Sequence, residues 1–176
     1  MDTTMAVLVI DMQVVLTEGA HEREAVVGQV RDLIGRARDH AVPVIYLQHT
    51  ADGWPPLQHG APTWAIDPAL APEAGELVIE KWASDAFTGT PLQAELAARG
   101  VKRLVVTGMM TEGCVDSTCR RALSLGYDVV LAADGHTTWD NVLPAAQIIA
   151  HHNATLPDLP FPGHTLVVKP AAEIVL

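Results

Sequence analysis

Cysteine is scarce: Cys114 and Cys119 are the only two in 176 residues. They lie five positions apart on one expected helix, which turns their side chains roughly 140° from each other, so a disulfide between them is excluded. Basic residues are also few, 11 Lys and Arg against 21 Asp and Glu, for a formal net charge of −10. No basic stripe is present to follow a phosphate backbone or an anionic bilayer, so neither nucleic acid nor a membrane is an expected partner. Long apolar runs are missing too, none nearing the roughly 20 residues of a membrane span. The first residues lack the basic start, apolar core and cleavage site of a secretory leader. No Gly-x-Gly-x-x-Gly follows the first apolar run, so a dinucleotide cofactor is not indicated. Together these absences predict a cytoplasmic protein with reduced thiols, no cofactor and a small-molecule substrate.

What is present fits one α/β domain over residues 1–176, with 49% hydrophobic residues to form its core. Met5 to Ile10 is a continuous apolar run closed by Asp11, as in a strand covered on both faces. Apolar positions Val26, Val27, Val30, Leu33, Ile34 and Ala37 then follow helical spacing from Arg23 to His40. Further strands are expected at Val42–Leu47, Leu77–Lys81, Arg103–Thr107, Tyr127–Ala133 and Thr165–Val168. Helices are expected from Thr90 to Gly100, after Cys114 as far as Gly126, and from Val142 to Ala154. Between the second and third strands, Gln48 to Gly75 is proline-rich and aperiodic, an ordered excursion with room for one short helix. The alternation predicts a doubly wound, six-stranded, mostly parallel sheet with helices on both faces, in three layers.

In such sheets the site lies outside the carboxyl ends of the strands. That rule selects Asp11, His49, Lys81, the turn from Gly108 to Cys114, and Asp134. Cys114 falls where a strand hands over to a helix, and free N–H groups with the helix dipole favour a thiolate there. As a nucleophile it needs a base, and Asp11 supplies one; Lys81 orients that carboxylate and favours its charge. Backbone N–H groups of the turn form an oxyanion hole. Each residue also has a plainer reading: a packing cysteine, a turn-capping aspartate, a solvated lysine.

Val9-Ile10-Asp11-Met12-Gln13, Glu80-Lys81 and Ser84 to Thr90 resemble the isochorismatase-like cysteine hydrolases. So do the run from Thr107 to Thr118, with its Gly-x-x-Thr-x-x-Cys-Val pattern, and Ala133 to Asp140. The likeness covers most of the chain. It implies a six-stranded parallel sheet and an Asp–Lys–Cys triad at Asp11, Lys81 and Cys114. It also implies a cis peptide between Met109 and Met110, aiming the N–H groups of Met110 and Cys114 at an oxyanion, and a homo-oligomer, dimer or tetramer. With the cysteine present, the chain is similar to the amidase side of the family, which cleaves amide, ureido or lactam C–N bonds through a thioester. Nicotinamidases of the family hold a metal with an Asp-x-His motif after the second strand. Gln48-His49-Thr50-Ala51-Asp52 lacks that motif, so no metal is expected, although His49, Asp52 and His59 are the residues that would gather one.

Trp54, Trp64, Trp82, Phe87 and Trp139 are candidate pocket walls, with Phe87 favoured for the core. Gln13 and His49 join Trp54 and Trp82 as substrate-binding candidates; Gln13 reads equally as a surface amide. His151, His152 and Asn153 read as a helix end or a subunit contact. The functional alternatives are a vinyl-ether or ester hydrolase that does not need Cys114, and a non-catalytic member that binds a metabolite.

Overall fold

The structure, a computed structural model, describes residues 4–176. Six strands, β1 (Met5–Ile10), β2 (Val44–His49), β3 (Leu77–Lys81), β4 (Arg103–Met109), β5 (Asp128–Thr137) and β6 (Leu166–Lys169), form one sheet in the order β3-β2-β1-β4-β5-β6. Every neighbouring pair is parallel. The chain winds outward one way from β1 and the other way from β4, so the switch point lies between these two strands. Asp11 and the turn after β4 sit at that crevice.

The continuous apolar runs follow from burial on both faces. In β1, Ala6, Leu8 and Ile10 enter one core with residues of α3 (Leu92–Ala98) and α4 (Asp116–Ser124). Val7 and Val9 enter the other, against the apolar face of α2 (Arg23–Asp39). Period-two alternation thus serves two hydrophobic layers at once. Each buried leucine here is worth about 2–5 kcal/mol against truncation to alanine. Among the described residues, no helix is long and apolar enough to cross a membrane.

Four elements differ from the sequence expectation. A short α1 (Val14–Thr17) follows Asp11 directly; one turn is too brief to show a period. α5 spans Ala145–Thr155, starting later than Val142 because Pro144 caps it from outside the helix. The excursion holds three 3₁₀ turns, at Pro55–Leu57, Pro62–Trp64 and Pro68–Leu70, each begun by a proline whose fixed φ suits a first helical position. The fourth difference concerns function. β5 does not stop near Asp134 but continues to Thr137 across a register shift opposite Val106 and Gly108. Asp134 is therefore inside a strand, where its Oδ1 accepts from the Ala171 N–H at 2.7 Å. It does not reach the site.

Candidate active site

Parallel register brings the polar strand ends together. Ile10 pairs with Gly108, placing Asp11 beside the start of the turn, and His49 pairs with Lys81. Asp11 adopts φ +53°, a left-handed conformation that aspartate tolerates better than most residues. Gly108 has φ +119°, and a Cβ there would lie 2.0 Å from the Ile10 carbonyl oxygen. Only glycine allows this close approach.

Lys81 is fully buried, and its ammonium is the hub. Its Nζ lies 2.7 Å from Asp11 Oδ2. It donates to the Ala83 carbonyl at 3.0 Å and to Cys114 Sγ at 3.4 Å, and faces His49 Nδ1 at 3.4 Å. Facing an ammonium, which only donates, His49 Nδ1 is suited to accept, an arrangement that leaves the hydrogen on Nε2. Ligand atoms of Asp11, His49 and Cys114 all lie within 4.8 Å of one another. Such a set can hold a metal, but the Lys81 ammonium already sits against all three.

Burial sets the protonation states. It pushes the Asp11 carboxyl above the usual carboxylate range, with Lys81 acting in the opposite direction. Burial, then the Asp11 charge, push the Cys114 thiol up to about 12 against the opposing pull of Lys81. The expected resting thiolate is thereby corrected: at neutral pH the proton stays on sulfur. Desolvation of a mostly enclosed thiol outweighs what the turn's dipoles supply.

The turn itself is a π-helical segment, Thr111–Val115, running into α4. The Met109–Met110 peptide is cis. Among the described residues, the Met110 N–H donates no hydrogen bond to the backbone, while the Met110 carbonyl accepts from Gly113 and Val115. Cys114 falls in the first turn, where N–H groups have no intrahelical partner. A half-buried thiol thus shares its turn with the Met110 N–H, beside a carboxylate and an ammonium.

A family model for the isochorismatase domain matches residues 5–154. The chain belongs to the isochorismatase family. A streptothricin hydrolase of Streptomyces noursei is 39% identical over 149 residues, 82% of this chain and 53% of that protein. A ureidoacrylate amidohydrolase of Methylobacterium radiotolerans is 30% identical over 62% of this chain and 54% of that protein. The chain spans about half the length of these curated relatives. In fold it is similar to a cysteine hydrolase from Pseudomonas syringae pv. phaseolicola, with a TM-score of 0.88 and 26% identity over 97% of this chain and 90% of that one.

Around this isochorismatase-family site the other candidates separate. His49 joins the cluster, half-buried, with burial and Lys81 lowering its pKa and keeping it neutral. Gln13 is buried, and its amide is spent on main chain: it donates to the carbonyls of His49 at 3.0 Å and Trp64 at 2.7 Å and accepts from His49 N–H at 2.7 Å. It is a brace rather than the substrate contact or surface amide expected. Gln48 donates to the same Trp64 carbonyl at 3.0 Å. Trp54 and Trp82 are surface side chains, 44% and 57% exposed. Trp64 packs under the excursion with its Nε1 on Thr50 Oγ1, and Trp139 donates to the Glu18 carbonyl. Phe87 is core, stacked on Tyr127.

His49, Asp52 and His59 do not converge among the described residues. His59 pairs with Glu80 at 3.0 Å and packs against the Trp64 ring, while Asp52 lies in an exposed turn. Sequence reasoning missed two things. The Ala83 and Ser84 carbonyls that receive Lys81 leave no trace in side-chain types. Thr111, His136 and Asn153 form a second polar cluster under the turn, and its one signal was a histidine at the end of an apolar strand.

Proposed function

We propose that this protein is a cysteine hydrolase that cleaves a C–N bond of a small amide, ureido or lactam substrate through a thioester. The carrying observation is the buried contact set of Lys81 Nζ with Asp11 at 2.7 Å and Cys114 Sγ at 3.4 Å. Names of relatives support the same class, since one acts on streptothricin and one is an amidohydrolase.

The proton inventory gives the order of events. Thiol and carboxylate start as neighbours, so Asp11 takes the proton as sulfur attacks the carbonyl carbon. Its raised pKa makes it a stronger base than a surface aspartate, while Lys81 holds it in place. The developing oxyanion is met by the N–H groups of Met110 and Cys114. When the tetrahedral intermediate collapses, protonated Asp11 gives its proton to the departing nitrogen, and the acyl group stays on sulfur. Water then attacks the thioester, losing a proton to Asp11; as the carboxylic acid leaves, Asp11 returns that proton to the departing sulfur and the thiol is restored. Each half-reaction thus uses the same carboxyl group first as base and then as acid. His49, neutral with its hydrogen on Nε2, is a donor for the substrate's polar end.

The test is a panel of small amides assayed for ammonia or amine release, with intact mass spectrometry for an acyl adduct on Cys114. Cys114→Ala is expected to lower turnover by at least about 10⁴-fold with little change in melting temperature. Turnover by that variant at the parent rate would eliminate the nucleophile and favour the vinyl-ether or ester reading.

A further inference from the structure

The second polar cluster on this rim contains no ionised side chain. His136 follows the register shift in β5, pairs with Gly108 in the sheet and is 1% exposed. Its Nδ1 lies 2.9 Å from Thr111 Oγ1, and its Nε2 lies 2.9 Å from Asn153 Oδ1 on α5. Asn153 Nδ2 donates to the Ala133 carbonyl at 3.0 Å.

Donor and acceptor roles here follow from one fixed point. A carbonyl only accepts, so the Asn153 amide nitrogen must face Ala133 and its oxygen must face His136. That oxygen also only accepts, so His136 Nε2 carries the hydrogen. Nδ1 is then a lone pair, and the Thr111 hydroxyl must donate to it. Every bond in the chain Ala133–Asn153–His136–Thr111 has a single allowed direction. Its last member is the residue after Met110 and is fully buried.

We infer that His136 is a positioning residue: with Asn153 it fixes Thr111, and through it the turn that carries the Met110 and Cys114 N–H groups. This rests on the cysteine-hydrolase reading above. A side-chain clamp suits this place because a displacement of about 1 Å in a catalytic turn can cost about 10²-fold in rate. The clamp works only while His136 is neutral. Protonation would put a hydrogen on Nδ1 and leave two donors facing each other until the Thr111 hydroxyl turns away. Burial, the largest influence, keeps the imidazole neutral against the hydrogen bond to Asn153; His152 on α5 acts with burial and Asp134 on β5 opposes it. His21 and Glu22 face it across a surface cavity of about 420 Å³, and Glu112 belongs to the turn itself.

The experiment measures kcat and KM on the best amide, the rate of Cys114 alkylation by iodoacetamide, and melting temperature. Parent protein is compared with Thr111→Val, Thr111→Ser, His136→Leu, His136→Gln and Asn153→Asp. Thr111→Val and His136→Leu should lower kcat by about 10²-fold with KM changed less than about threefold, an orientation loss and not a binding loss. Thr111→Ser and His136→Gln, which keep an acceptor and a donor in line, should recover most of it. In Asn153→Asp a carboxylate beside Nε2 favours charged His136, so the acid limb of kcat should move to higher pH.

Folded Thr111→Val with parental kcat would overturn the proposal. So would Thr111→Ser failing to exceed Thr111→Val at equal melting temperature, or an unmoved acid limb in Asn153→Asp. If His136→Leu does not fold, Thr111→Val, nearly equal in volume to the parent threonine, carries the test. A Cys114→Ala variant as active as the parent would instead sink the underlying reading. The alkylation rates would still report on the turn without any amide present.

Discussion

The polar cluster joining the ends of β1, β3 and β4 carries charge, whereas the one under the end of β5 carries none. Asp11, Lys81 and Cys114 bury an ion pair beside a thiol, with a proton that can sit on either of two atoms. Thr111, His136 and Asn153 bury three neutral groups with every bond direction settled. Buried charge is expensive and responsive, so it belongs where protons must move. A satisfied neutral chain has one state, so it belongs where a turn must stay still. The two meet in one row of the sheet, because Gly108 pairs with Ile10 on one side and His136 on the other.

That shared row gives the most severe way to break both clusters. Gly108→Ala sets a Cβ 2.0 Å from the Ile10 carbonyl oxygen at φ +119°, and should cost more than about 4 kcal/mol. Thermal unfolding checks it, with little folded protein the expected result. Next, Lys81→Met strips the charged cluster of its cation and leaves Asp11 buried without a counter-charge, for a loss of about 3–5 kcal/mol. Adding Asp11→Asn should return much of that stability while leaving the protein inactive. A urea midpoint that does not recover in the double variant would mean the ion pair is not what Lys81 supplies.

Asn153→Ala in the neutral cluster should cost less, about 1–3 kcal/mol, chiefly the penalty of the orphaned His136 Nε2–H, with the Ala133 carbonyl also losing its donor. A loss equal to that of Lys81→Met would erase the contrast between the clusters. The gentlest probe is pH. Burial raises the pKa of Asp11 in the folded state above the ordinary aspartate value of 3.8. Its contribution to stability is therefore present below that value and lost as pH rises through the folded one; under the proposed mechanism, ionised Asp11 is a cost carried for activity. The acid limb of kcat/KM should accordingly lie above the ordinary aspartate range. Iodoacetamide alkylation of Cys114 should keep rising with pH beyond 9, because the thiol sits at about 12. A plateau near neutrality would reveal a resting thiolate.

The strands were legible because burial on both faces writes itself as unbroken apolar runs, as in Met5 to Ile10. The grouping of Asp11, Lys81 and Cys114 was legible because topology sends strand ends to one rim, which brings a carboxylate, an ammonium and a thiol together after three strands. Its protonation was not legible: the helix dipole argued for a thiolate, while the deciding quantity was how much water the fold removes from Cys114. Asp134 misled for a related reason, since a bulge has no periodicity and β5 ran on past it to His136. The excursion hid its three turns because proline-led 3₁₀ segments are shorter than any window in which a period shows. Gln13 could not be placed from its type at all; its partners are backbone groups of His49 and Trp64, far away in sequence.

The Trp64 carbonyl, which accepts from both Gln13 and Gln48, has an entropic consequence. Two lone pairs engaged by two buried amides leave that peptide group one orientation, and Asp67, held by Thr17 and Arg23, anchors the chain just beyond it. The closure entropy of the intervening loop is thus lost during folding, before any molecule arrives. A substrate docking against the excursion meets a wall that is already set, and its binding energy is not drawn down by ordering the protein.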